Sequence, residues 1–182
     1  MLDRLSRVRP AVILVVALAI VLAAVNGLDF PLSVPSLVRQ TGHRYLDFCA
    51  FCSASQVHDE LVGLGEHGRM LQALLFSTID IVIPVLSFLA GLAVIGVTTR
   101  GQRTSRRRWL LALPVAAFVL DLLENATIIA LLVIYPTPAP ALAACEGVVS
   151  GLKLVAYAAV AVTMVALAAI AGWRRWRSNK SR

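Results

Sequence analysis

Four apolar runs, each long enough to cross a bilayer, constrain this chain more than any other feature of its sequence. A hydrocarbon core of about 30 Å takes roughly 20 predominantly apolar residues at a rise of about 1.5 Å each. The runs read as spans 10–28, 71–97, 109–135 and 145–172. The last lies in a longer apolar stretch beginning at Ala141, so its first turns rest at the interface or the helix tilts. The third is stopped by Pro136, Pro138 and Pro140, which cannot continue a helix. With 59% apolar and 15% charged residues, the chain lies outside the range of soluble domains, where the apolar share is about 45–50%. The expected fold class is all-α: a four-transmembrane-helix bundle, one membrane domain over 1–182, with an extracytoplasmic loop 29–70 that contains a short helix.

Lys and Arg near the span ends set the orientation, because positive charge is retained in the cytoplasm. Three precede the first span (Arg4, Arg7, Arg9), and five fill the loop after the second (Arg100, Arg103, Arg106, Arg107, Arg108). Five more follow the fourth (Arg174, Arg175, Arg177, Lys180, Arg182), against only Arg39, Arg44 and Arg69 in the long loop. The expectation is a multi-pass protein of the cell membrane with both termini cytoplasmic. Trp109, Trp173 and Trp176 fall at the cytoplasmic boundary and Tyr135 at the opposite one, as in an aromatic belt. The net charge of +7 is thereby assigned to anionic lipid headgroups at the cytoplasmic face. Nucleic acid is not expected, since no soluble stretch carries a basic stripe with interleaved aromatics. The first span also has the look of a secretory signal ending near Ala23 and Ala24; with no A-x-A site it reads as an uncleaved anchor, and cleavage would leave three spans in the same orientation.

In the loop, Ser53 and Gln56 form a candidate capping box, after which Val57, Leu61 and Leu64 share one face of a helix ended by Gly63 or Gly65. Pro31 and Pro35 are expected to keep the start of the loop extended. The segment is too short for a core of its own, so it should lie over the outer mouth of the bundle. Cys49 and Cys52, in a C-x-x-C, and Cys145 all fall on the oxidising side, which makes Cys49 with Cys52 a candidate disulfide. His43, His58 and His67 share the loop with Asp47, Asp59, Glu60 and Glu66, but without metal-site spacing they read as solvated residues, and no metal is assigned.

Ionisable residues inside a span are costly, about 2.5–3.5 kcal/mol each on insertion scales, so they face the bundle interior and seek partners. Ser77, Asp80, Pro84, Ser87 and Gly91 share a face of the second span. On the third the same spacing joins Pro114, Ala117, Asp121, Glu124 and Asn125, and on the fourth Glu146, Ser150, Lys153 and Tyr157. Counting the rise inward from the outer ends puts Asp80 at ~14 Å, Glu124 at ~17 Å, Asp121 at ~21 Å and Lys153 at ~18 Å. The candidate site is therefore a buried ionisable cluster of Asp80, Asp121, Glu124, Asn125 and Lys153, with Lys153 paired first to Glu124. Three carboxylates against one ammonium in low dielectric call for protons or another cation. Pro84 frees a carbonyl one turn back, near Asp80, at a depth where kinks line cavities. Ala143, Gly147 and Gly151 form a small-residue face suited to another helix or a second copy of the chain, a candidate homo-oligomer contact.

No catalytic residue is assigned. The chain has no G-x-x-x-x-G-K-[ST], no G-x-S-x-G and no dinucleotide fingerprint, so ATP-driven work is excluded and no cofactor is implied. Gly65-Glu66-His67-Gly68-Arg69, Asp80 with Pro84, Asp121-x-x-Glu124-Asn125 and Lys153 together resemble a pattern of small bacterial four-helix integral membrane proteins of unassigned function. That resemblance covers about 65–157; it implies that the charged residues belong together and implies no activity. In scale the chain is similar to the sterol-isomerase-like bundles, which bind hydrophobic ligands beside intramembrane carboxylates, though without a shared motif. Its C-x-x-C resembles that of the quinone-linked disulfide oxidases, but their second cysteine pair is absent and only Cys145 stands in the other outer loop. The leading reading is a proton, cation or small hydrophobic ligand site. The alternatives are a structural or partner-binding membrane subunit and an extracytoplasmic thiol redox protein.

Overall fold

The computed structural model describes residues 8–100 and 104–180. Arg4, Arg7, Arg103 and Arg182, used above to set the orientation, lie outside the described residues. Those described form helices α1 (Val8–Gly27), α2 (Val34–Thr41), α3 (Ala54–Gly63), α4 (Gly65–Ser77), α5 (Ile79–Thr98), α6 (Thr104–Ile134) and α7 (Pro140–Lys180), with a 3-10 turn at Leu46–Phe48 and no strand. Four stretches are long and apolar enough to cross a membrane: Val8–Gly27, Gly65–Thr98, Arg107–Ile134 and Pro140–Trp173.

Helices α5, α6 and α7 pack on one another, and α1 packs on α5. Gly91 lets α5 approach α6, since a Cβ there would lie 2.9 Å from Pro114. Phe88 and Phe118 stack beside this crossing at 5.0 Å. Ala90 and Ala93 are fully buried nearby, so small residues make the approach.

The second span differs from the single helix read from its hydropathy. It breaks at Thr78 (φ −126°, ψ −85°) between α4 and α5, six residues before Pro84. The break leaves carbonyls of the last turn of α4 without helical donors. Ser77 Oγ donates to the Ala73 carbonyl at 2.7 Å and Thr78 Oγ1 to that of Leu74 at 2.6 Å, so the two hydroxyls add donors where α4 ends.

The loop is more structured than one short helix. Ser53 and Gln56 form the reciprocal capping box of α3, and α2 precedes it. Ser33 caps α2 by accepting from the Ser36 amide, and Gly42 ends it in the left-handed region at φ 71°. Pro35, expected to hold the chain extended, sits instead in the first turn of α2, where its missing N–H has no helical partner to lose. Leu37, Tyr45, Leu46, Val57 and Leu61 bury against Leu75 and Phe76 of α4 and Ile128 and Leu131 of α6. A segment too short for its own core thus borrows the loop end of the bundle. Glu60 accepts from Arg44 at 2.7 Å and from His43 at 3.2 Å. Burial works to raise the Glu60 carboxyl, but its hydrogen bonds with Arg44 and His43 and the Arg44 charge hold it below its usual range.

Gly147 and Gly151, on the small-residue face of α7, are met by the loop of the same chain. A Cβ on Gly147 would lie 2.0 Å from the Cys52 carbonyl oxygen, and one on Gly151 would lie 2.3 Å from the Phe51 ring. The Phe51 amide donates to the Gly147 carbonyl at 2.8 Å, with Phe51 itself at φ 58°. Cys49 and Cys52 are joined in a disulfide beside this contact.

Candidate functional site

The docked loop carries an acid into the bundle. Lys153 of α7, only 7% exposed, is ion-paired to Glu124 of α6 and also to Asp47 of the 3-10 turn. Its contact with Asp47 is a hydrogen bond. Glu124 Oε2 faces the same ammonium as an ion pair, and Glu124 Oε1 is buried without a hydrogen-bond partner.

Asp47 is positioned from both sides. Before it, Gln72 of α4, fully buried, accepts from the Leu46 amide at 3.4 Å and donates to the Arg44 carbonyl at 3.1 Å. Tyr45 stacks on Phe76 at 4.6 Å. After it, the disulfide loop seats on Gly147 and Gly151. The Tyr45 hydroxyl is raised well above its ordinary range, first by burial and then by Asp80 and Asp47, so it stays protonated beside those acids.

The remaining acids close the group. Asp121 accepts from Tyr157 Oη at 2.5 Å. Asp80 is 6% exposed and its Oδ2 has no hydrogen-bond partner. Asn125 is buried beside Asp80. Glu146, two turns before Lys153 on α7, is fully buried with neither oxygen hydrogen-bonded. Five carboxyl groups therefore stand about one ammonium, and that ammonium is already paired twice.

A cavity of about 670 Å³ opens onto this group between α1 and α7. Its loop end is lined by Tyr45, Asp47, Asp80, Asp121, Lys153 and Tyr157. Away from the loop the walls turn apolar: Leu18 and Leu22 on α1, Leu154, Val160, Met164 and Val165 on α7. Helices α1 and α7 line facing walls without packing closely on each other, since α1 makes its main contacts to α5 and α2. The polar end gathers Asn26 near the end of α1, Asp80 near the start of α5, and Ser150 and Lys153 about three to four turns into α7.

Of the residues singled out from sequence, Asp80, Asp121, Glu124, Asn125 and Lys153 all come to this region. Asp47, Glu146, Tyr45 and Tyr157 belong with them and were not assigned to the cluster. For Glu146 and Tyr157 the signal was present, because both share the helical stripe of Lys153. For Asp47 and Tyr45 there was none, since a loop residue has no depth until the loop is docked. The other loop acids and histidines go elsewhere: His58, Asp59 and Glu66 are exposed, and His67 meets Gln40 at 3.2 Å. Cys145 is an exposed free thiol. Among the described residues no three His, Cys, Asp or Glu side chains form a metal-holding set. Compared with protein-family models, curated proteins and solved structures, the chain finds no match.

Proposed function

We propose that this multi-pass membrane protein binds an amphiphilic small molecule between α1 and α7. The polar head meets Asp80, Asp121 and Lys153, and the chain lies along the apolar walls. The supporting observation is the cavity itself, charged at one end and apolar along the rest. Its apolar wall from Leu154 to Val165 is about 16 Å long at the helical rise, close to half of a ~30 Å core and so to the chain depth of one leaflet.

Both termini are cytoplasmic on this reading, in the cell membrane, and the loop end faces outward; the support is the Lys and Arg excess around the first, third and fourth spans. The ligand is then drawn from the outer leaflet. Exposed Trp173 and Trp176, stacked under Arg177 at 4.0 Å and Lys180 at 4.4 Å, suit anionic headgroups on the opposite face. A purely structural role would account for the pairing of Lys153 with Asp47 and Glu124. It would leave unexplained the cavity itself and the carboxyl groups of Asp80 and Asp121 in its lining.

Ala161 is exposed on that wall, so Ala161→Trp should fill the cavity without disturbing the packed core. Native mass spectrometry of protein released from membranes is expected to show bound amphiphile on the wild type, and at least a tenfold loss in Ala161→Trp. Val162→Trp, on an exposed neighbour outside the cavity, should retain it. Equal retention by both variants would refute the site.

A further inference from the structure

The head of the ligand can be specified further from the groups that would meet it, given the binding mode just proposed. We infer that the cavity selects an amphiphile with a cationic amine head and rejects one with a phosphate head. The hydrogen-bonding groups left uncommitted at the charged end decide between the two. The one ammonium, Lys153, is held by Asp47 and Glu124. The Tyr157 hydroxyl is spent on Asp121. The Asn26 amide, at the mouth, donates to the Leu22 carbonyl at 2.9 Å. No uncommitted cation among the lining side chains is left to meet an anion.

Acceptors, by contrast, are in excess. Asp80, Asp47 and Asp121 all present carboxyl groups to the lining, and Asp80 Oδ2, itself enclosed, has no hydrogen-bond partner. A phosphate placed there would face three acids across a low-dielectric gap, where like charges repel strongly. An ammonium would offset the excess of carboxylates, which the neutral neighbours of Asp80, Tyr45 and Asn125, do not. With its chain along the apolar walls of α1 and α7, such a ligand is a long-chain amine.

Three single-chain probes of equal length, with amine, hydroxyl and phosphate heads, distinguish the outcomes in titrations against the protein in zwitterionic nanodiscs. The amine is expected to bind most tightly, at least tenfold ahead of the phosphate, with the alcohol between. Asp80→Asn should weaken the amine about tenfold and leave the alcohol nearly unchanged. Should Asp80→Asn fail to fold, the amine is compared with its neutral N-acetyl form on the wild type, where the same tenfold difference is expected. Phosphate binding as tight as the amine's, lost in Ala161→Trp, would overturn the head assignment and keep the cavity. Failure of all three probes to bind in an Ala161-sensitive manner would instead remove the binding mode, and the head assignment with it.

Discussion

Lys153→Met is expected to be among the most damaging single changes in the chain, lowering stability by about 3–5 kcal/mol, the usual consequence of stripping one partner from a buried pair. Glu124, fully buried, and Asp47 would be left side by side with no cation between them. The loss should not be that of a single contact, because Asp47 is also one of the contacts that tie the loop to α7. The double change Lys153→Met with Glu124→Gln should recover only part of the stability, since Asp47 keeps its charge. The triple change adding Asp47→Asn should recover most of it, as replacing a whole buried ionic group by neutral residues is often close to neutral. Thermal unfolding of the four proteins in one detergent checks this order; a triple variant no more stable than Lys153→Met would contradict it.

Gly147→Ala is expected to destabilise, against the usual direction. An alanine in mid-helix normally gains about 1 kcal/mol over glycine. Here the added Cβ would sit 2.0 Å from the Cys52 carbonyl oxygen, a backbone atom with little freedom to move. Overpacking of this kind typically costs about 1–3 kcal/mol. The more telling consequence is geometric, since lifting Cys52 off α7 also draws Asp47 from Lys153. Limited proteolysis should then cut within 46–53 several times faster than in the wild type. Gly172→Ala, with nothing within 4 Å of its added Cβ, should not change the cutting rate. Equal rates for the two variants would mean that the loop is held by something other than its seat on Gly147.

The sequence carried the bundle because hydropathy over some 20 residues is a strong physical requirement of lipid contact. It carried the level of Lys153 and Glu124 because rise per residue converts position into depth on a straight helix. That arithmetic fails at the broken second span, where Thr78 interrupts the helix and hydropathy does not register the change. It also has no purchase on a loop. Asp47 reads as a solvated residue until the disulfide turn docks on Gly147 and Gly151, and those glycines read as a helix-contact motif because small residues admit any backbone equally well. The cavity was beyond reach for a related reason. It arises from α1 and α7 standing apart while both line one space, which is a matter of helix placement, and no residue pattern in either helix encodes it.

The direction in which a ligand lies is the part of this account most open to direct measurement. Two single-chain amine probes are required, one with a photoactivatable diazirine beside the head and one with it at the chain terminus, cross-linked to the wild-type protein in nanodiscs and mapped by peptide mass spectrometry. The head-proximal probe is expected to label α7 around Lys153 to Tyr157 and the 3-10 turn at Leu46–Phe48. The chain-terminal probe should label α7 around Met164 and α1 around Leu18, with both patterns absent in Ala161→Trp. Labelling by both probes spread evenly over the lipid-exposed faces, unchanged in Ala161→Trp, would contradict it.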